Sequence, residues 1–143
     1  HLHFLSLFSF RKLKRTAFRT DLSNRHECVP RGVFVMQHPT LIRPENHATF
    51  QSEKMGKTTL FQSERMLVGL NCFEVGQEHA LHAHKGMDKV YHVLEGAGLF
   101  LLEDRTIPMQ AGEMLIAPEG IPHGIRNTET QRLVVLAILS PSP

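Results

Sequence analysis

Turn-forming residues recur so often after Lys57 that nothing longer than a short strand fits between them. Gly76, Gly86, Gly96 with Gly98, Glu103 with Asp104, Gly112, Pro118 with Gly120, and Asn127 divide this part of the chain at near-regular intervals. Glycine permits positive φ and proline presets φ, so each cluster is a place where the chain can reverse. The intervening residues predict strands at 58–62, 66–74, 80–84, 89–94, 99–102, 106–109, 114–117, 124–126 and 132–139. Many evenly spaced strands with this punctuation specify an all-β sandwich or barrel. No amphipathic pattern of helical length competes with them, and no internal repeat or low-complexity tract is present.

The chain of 143 residues is long enough for one compact core. Its formal charge of +2 hides an asymmetry. Residues 1–35 carry seven Lys/Arg against two acids, whereas residues 36–143 carry nine against twelve. The mildly acidic remainder argues against a nucleic-acid surface. Three stretches follow: a basic N-terminal extension over 1–35, an arm over 36–56 and a barrel over 57–143.

In the extension the apolar residues Phe4, Leu5, Leu7, Phe8 and Phe10 precede the basic run Arg11, Lys12, Lys14, Arg15 and Arg19. A secretory signal has the reverse order, and the apolar stretch is too short to span a bilayer, so no membrane role is expected. Its Arg-rich, acid-poor character also suits a transit peptide or an interfacial segment. The composition changes near Met36, and the expected reading is a poorly structured or non-native extension. Cys28 and Cys72 lack any C-x-x-C spacing, so a disulfide framework or thiolate zinc site is not indicated and a cytoplasmic setting is expected. Cys72, between Leu70 and Phe73, reads as a small buried hydrophobe.

The last predicted strand, Leu133-Val134-Val135-Leu136-Ala137-Ile138-Leu139, shows no alternation and therefore predicts burial on both faces. A second copy of the chain is the expected cover for its outer face, giving a homodimer; the N-terminal segment is the alternative.

Histidine spacing points to the chemistry. His82 and His84 are two residues apart, which on a strand places both imidazoles on one face, and His123 arrives from a turn shaped by Pro118 and Gly120. Neutral imidazole is the commonest metal ligand, so these three residues are the candidate metal site. By the same alternation Lys89, Tyr91 and Val93 share the inward face of their strand, while His92 points outward. Lys89 and Tyr91 are the candidate catalytic residues. His79 is expected to be exposed just ahead of its strand, Glu95 to be solvated at a glycine turn, and Asn127 to tie its own turn together.

Two motifs carry a family resemblance. Gly76-x5-His82-x-His84 runs on to Gly96 through Val90-Tyr91-His92-Val93-Leu94-Glu95, and Gly112-x5-Pro118-x-Gly120-x2-His123-x3-Asn127 follows. Between them they resemble the small single-domain members of the cupin superfamily, closely over 76–127 and loosely from 57 to the C-terminus. The resemblance implies a double-stranded β-helix, the jelly-roll barrel, often dimeric, with a metal held in its mouth by three histidines and one glutamate.

The glutamate slot holds Lys89, and the neighbouring Asp88 points away under regular alternation. An ammonium about 4 Å from a divalent ion repels it by roughly 8 kcal/mol at an effective dielectric near 20. Losing the proton costs about 4.6 kcal/mol at pH 7, and the flexible stem can also turn aside, so Lys89 weakens a metal site without abolishing it. It can hold an anionic substrate beside the metal, serve as an acid or base, or replace the metal's charge; a solvated place on the rim is the bland alternative.

The resulting expectation is a small cupin with a divalent transition metal (Fe, Mn, Ni, Cu or Zn) on His82, His84 and His123, acting on a small anionic or phenolic molecule in a dioxygenase- or isomerase-like reaction. A non-catalytic cupin that binds a small ligand without metal is the alternative. With no helix-turn-helix pattern and one barrel's length of chain, regulatory and two-barrel storage roles are disfavoured.

Overall fold

The computed structural model describes residues 38–143; the basic extension expected over 1–35, with Cys28, lies outside them. Among the described residues nine strands follow a 3-10 turn at Pro44–His47: β1 (Gly56–Gln62), β2 (Leu67–Phe73), β3 (Glu78–His82), β4 (Asp88–Glu95), β5 (Ala97–Leu102), β6 (Thr106–Gln110), β7 (Met114–Ala117), β8 (His123–Arg126) and β9 (Leu133–Ser140). They form two antiparallel sheets, one of five strands in the order β1-β2-β9-β4-β7 and one of four in the order β3-β8-β5-β6. This is the all-β barrel that the turn spacing predicts, in the double-stranded β-helix form that the resemblance implies. Among the described residues no helix is long and apolar enough to cross a membrane.

Strand β9 lies at the centre of the larger sheet, between β2 and β4, which explains its unbroken apolar sequence. Leu133, Val135 and Ala137 face inward and pack with Phe73, Tyr91, Val93, Phe100 and Ile125 in the core between the sheets. Val134 and Leu136 face outward into a second cluster with Leu60, Leu70 and Cys72. Ile42, Ala48 and Phe50 of the same chain pack against that cluster, so the arm supplies cover over β2 and β9. Farther along the outer face, Met114 and Ile116 on the edge strand β7 stay exposed.

Cross-strand register builds the inner wall in rows. Lys57 pairs with Asn71, and Asn71 with Val135. The next row is Thr59, Gly69, Ala137, Tyr91 and Leu115, and the one after it contains Leu67, Leu139, Lys89 and Ala117. Because Gly69 and Ala137 are small, the middle row leaves space between the sheets. A cavity of about 250 Å³ lies there.

Candidate metal centre and ligand cavity

Strand β3 carries His82 opposite His123 of β8, while His84 stands two residues beyond the end of β3. The loop holding His84 is latched to the turn before β8. Gly120 N–H donates to the His84 carbonyl at 2.9 Å, Gly86 N–H to Glu119 Oε1 at 2.6 Å, and Glu119 N–H to Asp88 Oδ1 at 2.9 Å. Asp88 therefore points out of the barrel and spends its carboxylate on this latch. Asn127 anchors the far end of β8: its amide donates to the carbonyls of Gln131 at 2.8 Å and Glu74 at 3.1 Å, and its Oδ1 accepts from Glu129 N–H at 3.1 Å.

One ring nitrogen from each of His82, His84 and His123 falls within 4.8 Å of the others, a spacing that can hold a metal ion. Local backbone also fixes two of the tautomers. Nδ1 of His82 lies 2.8 Å from the Ala80 carbonyl, and Nδ1 of His123 lies 2.8 Å from the Ile121 carbonyl. A carbonyl only accepts, so both Nδ1 atoms carry the proton and both Nε2 atoms present an unprotonated lone pair. Nε2 of His123 is buried without any hydrogen-bond partner among the described residues. Three neutral imidazoles with converging lone pairs, one of them orphaned, suit a divalent transition ion.

Lys89 is buried, only 4% exposed, and not on the rim. Its Nζ lies 3.3 Å from Nε2 of His84 and 3.5 Å from Nε2 of His82, and sits 4.7 Å from the centroid of the Tyr91 ring. The amine thus borders two of the three imidazoles, in the place where the sequence resemblance implies a glutamate. Burial, and after it the charge of Lys57, brings this ammonium down to about 8. Burial also lowers His82 and His123, and it pushes His84 to about 4, with Lys89 as the next contributor. Around neutral pH the lysine is the charged partner and the imidazoles are neutral. Tyr91 is wholly buried, its hydroxyl has no partner among the described residues, and burial raises its phenol above the usual value, so it remains a proton donor.

His79 corrects the reading of this strand. It lies within β3, half-buried, with its ring 4.1 Å from that of His82, and it lines the cavity. Plain alternation would set residues three apart on opposite faces, but the β3–β8 register shifts between His79 and His82, and that bulge turns both inward. Gly124 makes room for it, since a β-carbon there would stand 2.6 Å from the His79 carbonyl oxygen. Burial, and then His82, pushes His79 to about 3. Lys57 and Asn71 also line the cavity and were not singled out from sequence, because both lie outside the two motifs.

Comparison with known proteins agrees with this fold. The Cupin domain family matches residues 69–139. An oxalate-binding protein of Thermotoga maritima is 33% identical over 64 residues, which make up 45% of this chain and 53% of that protein. The chain thus spans about half the length of the curated relatives it matches. The TT1209 crystal structure from Thermus thermophilus superimposes with a TM-score of 0.69 at 36% identity, covering 72% of this chain and 98% of that one. An RmlC-like cupin protein from Desulfovibrio desulfuricans gives a TM-score of 0.68 at 28% identity, covering 74% and 100% respectively. Fold, motifs and relatives together show that the chain belongs to the cupin family.

Proposed function

We propose that this cupin is a metal-dependent enzyme of oxygenase or isomerase type acting on a small anionic or phenolic molecule. The observation that carries the reading is the convergence of His82, His84 and His123, with backbone carbonyls keeping Nε2 unprotonated on two of them. A bound divalent transition ion would supply Lewis acidity and open coordination positions. Lys89 holds and orients the substrate's negative group next to the triad, and the Tyr91 phenol offers a proton from the cavity wall. Among the described residues the cavity lining contains Lys57 and Lys89 but no Asp or Glu, which favours an anion. Its volume of about 250 Å³ suits a small molecule.

Pairing with a second copy through exposed Met114 and Ile116 on β7, and a cytoplasmic setting, belong to the same reading. One observation favours a second reading: the Lys89 amine reaches two of the three Nε2 atoms, as it would in a binding protein whose ammonium takes the metal's place. Elemental analysis of protein purified without added metal separates the two. The enzyme reading expects a transition ion near stoichiometry that His82→Ala, His84→Ala or His123→Ala removes. A metal-free protein that binds small anions with the triad intact would establish the second reading.

A further inference from the structure

The cavity has a second set of polar groups, bordering the triad where His79 meets His82, that the proposed reaction does not use. Asn71, only 6% exposed, has its Nδ2 without any hydrogen-bond partner among the described residues, and Nδ1 of the neighbouring His79 is likewise buried and unpartnered. Both line the same cavity as Lys57, which pairs with Asn71 across β1 and β2. A buried amide donor left unpaired is costly, and native proteins seldom keep one without a use for it. A lysine, an amide donor and an imidazole set together, with no acid among the described lining residues, form a cradle for a carboxylate.

Register gives the separation of the two lysines. On β2, Asn71 belongs to the Lys57 row and Leu67 to the Lys89 row, four residues or about 13 Å apart along the strands at ~3.3 Å per residue, and Lys57 on β1 also stands three strands across the sheet from Lys89 on β4. The row that holds Gly69 and Ala137 lies between them, and both lysines line the cavity. One ligand can therefore bridge Lys89 and Lys57 only if its charged groups are held apart by a spacer.

We infer that Lys57, Asn71 and His79 form a distal carboxylate subsite, and that the ligand of this pocket is a small dicarboxylate whose two carboxylates are separated by carbon atoms. This rests on the proposed anion-binding role of Lys89 and adds to it the partner for the ligand's other end.

Calorimetric titration of the full chain with acetate, oxalate, malonate, succinate and glutarate, with and without added manganese, tests the inference. The expected result is tighter binding of succinate or glutarate than of acetate or oxalate. Lys57→Met and Asn71→Leu should each weaken the spaced dicarboxylates by about ten-fold or more, the scale of one charge-assisted hydrogen bond, and leave acetate unchanged. Asn71→Leu removes an unpaired donor, so its melting temperature should hold or rise, which a merely structural asparagine would not allow. Acetate bound as tightly as the spaced dicarboxylates, or a dicarboxylate preference untouched by both variants, would overturn the subsite and leave the anion role of Lys89 standing. Failure of every carboxylate to bind, with or without manganese, would overturn both.

Discussion

Lys89 departs from its family's pattern by one side chain and changes the electrostatics of the whole site. Folding lowers its ammonium from the ordinary 10.5 to about 8, so between those values the unfolded chain binds the proton and the folded chain does not. Stability therefore rises with pH across that window, and below pH 8 the folded protein carries a desolvation penalty on the order of 3 kcal/mol. Lys89→Met should unfold in urea at a higher midpoint than the wild type at pH 7, with the gap closing towards pH 10.5; a gap independent of pH would contradict this account of the buried charge. Lys89→Glu should instead tighten divalent metal binding, because a carboxylate then completes the triad. Competition with a fluorescent chelator reads that change directly. Much of this position was legible in the sequence: alternation placed Lys89 and Tyr91 on the inward face and Asp88 and His92 off it. Burial of the amine was not legible, because a flexible lysine stem can reach solvent from many backbone positions.

At the level of elements, β3 is where pattern reading and structure part. Alternation pairs His82 with His84, and both do join the triad, yet His84 stands on the loop after the strand, held there by the Gly120 bond to its carbonyl. His79 was expected ahead of the strand, but β3 begins at Glu78 and a bulge, which leaves no mark in hydrophobic periodicity, turns its ring inward with that of His82. Gly124 is the one hint, and its meaning depends on knowing which strand pairs with β8. Gly124→Ala drives a methyl group into the His79 carbonyl at 2.6 Å, a backbone atom with little room to yield. The expected cost is about 1–3 kcal/mol in denaturant unfolding, together with weaker metal binding as the bulge shifts His82. Loss of metal affinity without loss of stability would show that the bulge positions His82 without supporting the fold. Lys57 and Asn71 were invisible for a related reason: the pairing of β1 with β2 is a tertiary fact, and neither residue type is unusual in a strand.

For the molecule as a whole, every predicted strand appears within two residues of its expected place, because glycine and proline fix reversals locally. What covers β9 is not local. Its two-faced apolar sequence announced a covering layer, and the arm provides part of that layer through Ile42, Ala48 and Phe50, with the Arg132 guanidinium 4.2 Å above the Phe50 ring. Phe50→Ala should therefore cost about 1–3 kcal/mol in thermal or urea unfolding, less than the roughly 3–5 kcal/mol of a fully buried ring, since Phe50 is half-buried. No change would mean that the arm is not part of the folded unit. The paired anchors of His82 and His123 reach further. Each ring is tethered to the main chain two positions upstream, so completing two short backbone segments already decides where their protons reside. An arriving cation meets a finished mould, and its capture waits on the departure of one lysine rather than on any rearrangement of the imidazoles.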